Sequence, residues 1–289
     1  MRDSAIQHLA VAQKGSIVAA ALSETTVQFW SVSKEEQIGQ AETVLDGGGK
    51  RLALTSDGTV CIAGSWLYGI SAYTVPDGKT LWSRKALTKV HFIDVSMSSD
   101  KLFCGFDSGS VLALEVRTGK VVEDLKRTKR VIQSQTGSQR VVVRKDEYLV
   151  QSSHEFKVPA LSFTIWDAAF SSEAVCISEP DAEIRCLELS TGKLLWHHRS
   201  LESDRLAFNA ADKRFYAVAL RSSSSYQGSL IRLAPSLLQC DQVADINSCD
   251  GSFDPTGTVL VTMRGDVYET STGRIIANLE FPQCDYPDS

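Results

Sequence analysis

The stretch RLALTSDGTVCIAGSWLYGISAYTVPDGKTLWSRK, residues 51–85, reads as a complete structural unit. Four short apolar-rich runs, RLALT, TVCIAGS, GISAYTV and KTLWSRK, are separated by SDG, WLY and PDG. Asp-Gly supplies the positive φ that tight hairpins require, so SDG and PDG each predict a reversal of the chain. The unit is therefore predicted to be four strands joined by three turns. No stretch of it has a helical period.

Working outward, the last turn and its following strand recur. PDGKTLWSRKA from Pro76 is echoed by RTGKVVEDLKR, STGKLLWHHRS and STGRIIANLEF. The glycines of these turns, Gly78, Gly119, Gly192 and Gly273, are 41, 73 and 81 residues apart, which is one, two and two units of about 40. A second marker set gives the same period. The runs TVQFWSV, GISAYTV, SVLALEV, EYLVQSS, EIRCLEL, SLIRLAP and GDVYETS mostly alternate in polarity, as half-buried strands do. Their markers Val27, Ile70, Val111, Tyr148, Ile184, Leu230 and Val267 are spaced by 43, 41, 37, 36, 46 and 37 residues. That makes seven units. Turn signals before Lys101 and at Asp254–Gly257 (DPTG) occupy the place of SDG in units three and seven.

One motif misleads. IWD at 165–167 has the form of a Trp-Asp pair ending a third strand, yet there it would leave only about 22 residues between successive third strands, too few for four strands. The spacing instead puts Trp166 on the first strand of unit five, and the dipeptide is given no diagnostic weight.

Seven units of four strands predict an all-β chain: a seven-bladed β-propeller with four antiparallel strands per blade, formed by residues 1–289 as a single domain. The sequence resembles the WD-repeat and pyrroloquinoline-quinone-type repeat propellers over nearly its whole length. The GK-x-LW stretches at Gly78–Trp82 and Gly192–Trp196 are most similar to the quinone-type repeat, whereas units one, four and six lack the glycine turn. Trp82 and Trp196 are expected to cover the sheet where blades meet. Blade seven has candidates for four strands of its own (INSCDGSF, TVLVTMR, GDVYETS, GRIIANLEF), so closure by a terminal strand exchanged from elsewhere is not evident.

Composition bounds the function. The 289 residues are 43% hydrophobic and 22% charged, an ordinary globular mixture. The net charge of −5 implies no global attraction to nucleic acid. Seven cysteines contain no CxxC and no adjacent pair, and Cys61, Cys104 and Cys176 fall in apolar runs where cysteine acts as a small hydrophobe. Reduced, mostly buried thiols are expected. The Met1 end lacks a long apolar stretch, the longest such run, IVAAAL, is far short of a membrane span, and none of the three asparagines opens a glycosylation sequon. A cytoplasmic monomer with no membrane association is the expectation.

Motifs that carry chemistry are absent from the sequence. His8, His91, His154, His197 and His198 form no HExxH and no zinc spacing, and adjacent His197 and His198 on a strand face opposite ways. DGGGKR at Asp46–Arg51 is glycine-rich but leads into a strand, not the helix N-terminus that phosphate loops exploit. The quinone-repeat resemblance implies a cofactor enzyme, but quinoprotein dehydrogenases are much longer, usually exported, and use calcium with an adjacent-cysteine disulfide; no cofactor and no metal is expected here.

The resembled fold implies one face built from the connections between blades and from the second-to-third-strand turns. On that plan Arg84, Lys85 and Lys89 follow blade two, Lys126, Arg127, Lys129 and Arg130 follow blade three, and Arg199 follows blade five. Trp66 and Tyr68 in GSWLYGI, and Tyr226 in RSSSSYQG, occupy turns of the same face. Basic residues beside aromatic anchors fit a protein partner with an acidic surface. Single-stranded nucleic acid is a weaker alternative. Each charge taken alone is explained somewhat better as a solvated loop residue, and Trp66 also as a plug for the axis or a side chain packed on a neighbouring blade. The expected function is a non-catalytic binding module, adaptor or inhibitor, with a bacterial immunity protein against a toxin as a sharper form. The alternative from another class is a hydrolase or lyase with its site at the axis, which convergent carboxylates or histidines of shifted pKa would mark.

Overall fold

The computed structural model describes residues 6–22, 25–43, 50–65, 69–85, 90–95, 100–106, 110–134, 138–144, 147–160, 165–180, 183–198, 203–220, 227–234, 237–248 and 250–281. These residues form seven four-stranded antiparallel sheets and one 3-10 turn, Gln13–Gly15. Each sheet uses four consecutive strands in sequence order, and we number them as blades: 8–42, 50–85, 90–125, 130–159, 167–198, 203–246 and 251–278. Every third-strand marker read from the sequence, Val27 through Val267, lies on a third strand.

The recurring turn has a specific local cause. In blade 3, Thr118 Oγ1 donates to Glu115 Oε2 at 2.5 Å, Lys120 N–H donates to Thr118 Oγ1, and Gly119 N–H donates to the Glu115 carbonyl at 2.8 Å. Blades 5 and 7 repeat the arrangement through Glu188–Thr191 and Glu269–Thr272. Gly119 and Gly192 sit at φ +68° and +72°, in the left-handed region that a side chain resists. A Cβ there would also strike the neighbouring blade, at 2.7 Å from the Trp82 ring and 2.6 Å from the Phe156 ring, respectively. The glycine therefore makes the turn and admits the outer strand of the preceding blade. Trp82 completes that contact by donating its Nε1–H to the Val116 carbonyl at 2.7 Å.

The core is distributed between sheets. Seven apolar clusters are each built from two adjacent blades, and together they run around the ring. Side-chain alternation divides each strand between its two neighbours. Ala10, Ala19 and Ala21 of blade 1 face blade 2, while Leu9, Val18 and Ala20 face blade 7. This explains why VCIAGS (Val60–Ser65) and AVCISE (Ala174–Glu179) are buried along their whole length. The half-buried strands expected from polarity alternation are thus sandwiched ones, because a propeller buries both faces of its middle strands. Exposure is instead pronounced on outer strands such as Thr80–Lys85 and Val121–Leu125.

Blade 7 closes against blade 1 by side-chain packing. Leu9, Val11 and Trp30 meet Val259, Val267 and Leu279, and the Trp30 and Phe281 rings lie edge to face at 5.4 Å. Blade 7 supplies all four of its own strands. Two boundaries differ from the sequence expectation. Ile246 belongs to the long last strand of blade 6 (Leu237–Ile246), so the first strand of blade 7 is only Gly251–Phe253. Trp166 stands directly before the first strand of blade 5 (Asp167–Phe170), with its N–H on the Ser178 carbonyl.

Candidate functional site

Consecutive antiparallel strands fix which loops share a face. The first-to-second and third-to-fourth turns lie at one end of every blade. The second-to-third turns and the blade-to-blade connections lie at the other, and this second set is called the connection face below. The head of each first strand enters the axis from that face.

Six of the sequence-predicted binding residues are described, and all lie at this end. Arg84 and Lys85 are exposed at the end of the last strand of blade 2, opposite Ile70 and Gly69. Lys126, Arg127 and Lys129 are exposed in the connection from blade 3 to blade 4, where Arg127 adopts φ +59°. Arg130 departs from this group. It turns inward at the head of the first strand of blade 4, and its Nη1–H donates to the Ile165 carbonyl at 2.8 Å. Trp66, Tyr68, Lys89, Arg199 and Tyr226 lie outside the described residues.

The axial mouth holds residues that, Arg130 apart, the sequence reading did not single out as a site. The apolar run of the first strand in six blades is headed by a titratable side chain: His8, Arg51, Arg130, Asp167, Arg205 and, immediately before the strand, Asp250. Most of them stitch one blade to the next through backbone. His8 Nδ1 accepts Leu52 N–H at 3.3 Å, and Asp167 Oδ2 accepts Leu206 N–H at 2.8 Å. Arg205 donates to the Gly251 carbonyl at 3.0 Å and pairs with Asp250 at 3.3 Å. Such bonds satisfy first-strand backbone groups that no inner neighbour covers. The signal was present in the sequence as H-LAV, R-LAL, R-VI, D-AAF and R-LAF. It is legible only after the first strands are aligned, because the residue type changes from blade to blade.

Electrostatics at the mouth follows from this crowding. Burial, reinforced by the positive charges of Arg205 and Arg51, pushes the His8 pKa down to about 3, so the ring is neutral at pH 7. Nδ1 accepts a hydrogen bond, which leaves the ring proton on Nε2. Burial also lowers the Arg51 pKa, with Arg205 adding to the effect and Asp250 opposing it. Burial raises the Asp167 pKa against the pull of Arg130 and Arg205 and of its two backbone donors, Leu206 and Ala168. Among the described residues the mouth thus has neither the apolar and amide lining of a plain channel nor an Asp–His pair with both members free of backbone bonds. Both carboxylate oxygens of Asp167 accept backbone N–H groups, and His8 Nδ1 is likewise engaged.

A buried charge cluster supports the same end of the molecule. Tyr148 of blade 4 donates its hydroxyl to Glu179 of blade 5 at 2.7 Å, and Glu179 pairs with Arg185 at 2.6 Å. Arg185 returns to blade 4 by donating to the Pro159 carbonyl and lying 5.8 Å above the Tyr148 ring. The opposite end has a different character. A polar groove of about 430 Å³ between blades 3 and 4 is lined by Lys101, Glu123, Arg140, Gln151 and His154. Outer strands there expose pairs of large apolar residues, such as Leu194–Leu195 and Ile275–Ile276.

Comparison with solved structures shows the same fold in distant company. A chain of the "Crystal Structure of Mitotic Checkpoint Complex" superposes with a TM-score of 0.72 at 15% identity, covering 92% of this chain and 85% of that one. The "Structure of U3-55K" gives 0.67 at 16% identity, covering 90% and 88%. Curated protein sequences return no match. The model of a repeat family described as outer membrane protein assembly factor BamB matches residues 4–234, which is most of the blades described above. The chain therefore belongs to this quinone-type repeat family of β-propellers.

Proposed function

We propose that the protein is a non-catalytic binding module that engages a protein partner through its connection face. The observation that carries this reading is the gathering of charge. In a chain of net charge −5, Arg84, Lys85, Lys126, Arg127 and Lys129 are all exposed at one end, around a mouth that adds three arginines. Exposed Glu42, Asp124 and Asp245 stand at the same end, so the cations predominate there without being alone. A predominantly positive patch steers an oppositely charged partner and fixes its orientation. Packed inter-blade clusters hold these loops on a stiff ring, so little is spent on ordering the framework when a partner binds. One chain of similar fold comes from a structure titled as a checkpoint complex, and the matching family is described as an outer membrane protein assembly factor, and both agree with the reading.

The test is capture of a partner by two charge-reversed variants of equal charge change. Lys126→Glu/Arg127→Glu/Lys129→Glu alters the connection face, and Lys120→Glu/Lys193→Glu/Arg274→Glu alters exposed residues at the opposite end. The first variant is expected to lose capture and the second to keep it, with equal melting temperatures. Capture lost only in the second variant would overturn the proposal.

A further inference from the structure

The axial mouth is richer in cations than its own structure uses. Three arginines, Arg51, Arg130 and Arg205, stand against two aspartates, Asp167 and Asp250. Both aspartates are already committed. Asp167 accepts the N–H groups of Leu206 and Ala168, and Asp250 accepts Gly251 N–H and pairs with Arg205. Arg130 and Arg205 are spent on the carbonyls of Ile165 and Gly251. Arg51 is different. It is partly buried at the head of the first strand of blade 2, and among the described residues no side-chain hydrogen bond or contact-distance ion pair engages its guanidinium, which Asp250 reaches only through its field. A guanidinium partly withdrawn from water with no acceptor in contact gains from a ligand that supplies one.

The neighbours of Arg51 define what would complete it. Blades 6, 7, 1 and 2 form a continuous arc that brings Arg205, Asp250, His8 and Arg51 to the mouth. Arg205 acts on Arg51, and both act on neutral His8, whose Nδ1 is held by Leu52 N–H. Positive charge converges there, and the one carboxylate of the arc, Asp250, is in contact with Arg205 while acting on Arg51 from further off.

We propose that the axial mouth is an anion site anchored by Arg51 and that its occupant is a carboxylate side chain of the partner's acidic segment. This rests on the connection-face reading and deepens it by naming the chemistry that the centre of the face recognises. A planar carboxylate can accept both arms of the Arg51 fork. The exposed basic connections would hold the flanking acidic residues around it.

The experiment is titration of a fluorescent hexaglutamate peptide, at low and at moderate salt, into wild type, Arg51→Gln and Arg274→Gln. Arg274 is exposed at the opposite end and provides the equal charge change. Arg51→Gln is expected to weaken the peptide at least tenfold, with an unchanged or higher melting temperature because a repelled charge has been removed. Arg274→Gln is expected to bind like wild type. Equal binding by all three proteins, or equal loss in both variants, would overturn the site. Glutarate displacing the peptide at peptide-like concentrations would overturn the occupant, since a free small carboxylate would then suffice. Partner capture that depends on Lys126–Lys129 but survives Arg51→Gln would leave the connection face standing and remove the axial carboxylate alone.

Discussion

Substituting Gly119 by alanine puts a number on how blades lock together. The residue has φ +68°, where an L side chain costs roughly 1–2 kcal/mol. Its new Cβ would stand 2.7 Å from Trp82 Cδ2 and 2.8 Å from Cε3, well inside contact distance. The indole is rigid, and its Nε1–H is held by the Val116 carbonyl at 2.7 Å, so the ring cannot yield without loosening a bond worth about 0.5–1.5 kcal/mol. Backbone strain and ring displacement together predict a loss of about 2–4 kcal/mol, read as a lower urea midpoint by far-ultraviolet circular dichroism. The same change in a Trp82→Leu background removes the obstacle and leaves only the backbone component, so the cycle should show a coupling of about 1–2 kcal/mol. A zero coupling would mean that the outer strand of blade 2 does not rest on the turn of blade 3, and the packing scheme would fail.

The other predictions follow from the same geometry. Trp82→Phe breaks the bond to Val116 and should cost about 1–2 kcal/mol. Trp196→Phe removes a buried Nε1–H that has no acceptor among the described residues, so in urea melts it should cost less than Trp82→Phe. Glu179→Gln strands Arg185 in a buried site and should cost about 3–5 kcal/mol, against a smaller loss for Tyr148→Phe; equal losses would contradict a buried ion pair. His8 has a folded pKa near 3, below its ordinary 6.5, so the unfolded chain takes up the proton first as pH falls. The stability that neutral His8 contributes is therefore intact above about pH 6.5 and lost at about 1.4 kcal/mol per pH unit from there towards pH 3; His8→Gln should flatten that part of the pH profile, and an unchanged slope would contradict the burial. Burial pushes the Cys104 thiol up to about 12 and raises Cys61 and Cys176 as well, so mass-mapped alkylation at pH 8 should modify these three only after denaturation.

The architecture was legible because its determinants are local and repeated. A positive-φ glycine in the TGK turn, Asp-Gly reversals and third-strand markers such as Tyr148 and Val267 recur at a fixed period, and each unit needs little more than its own residues to declare itself. Trp82 was legible as an inter-blade cover for the same reason: it follows its turn glycine at a constant distance. The axial mouth was not legible in the same way. His8, Arg51, Arg130, Asp167 and Arg205 share a position but neither a charge nor a shape, and their meaning arises only when the ring brings them together. Arg130 shows the difficulty most clearly. In sequence it ends the basic run KRTKR, yet the strand that begins there turns it to the axis while Lys126, Arg127 and Lys129 stay in solvent. The short first strand of blade 7 escaped for a related reason, since nothing in INSCDGSF marks where one sheet ends and the next begins.

The central claim, that one end of this ring recognises a protein, is tested most directly by hydrogen exchange on the protein with its captured partner bound. The account predicts slowed exchange in the connection at 126–129 and at the first-strand heads around His8, Arg51 and Arg205, with the turns at 117–120, 190–193 and 271–274 unaffected. Protection confined to those turns and to the apolar outer strands beside them would place the partner on the opposite end and contradict it.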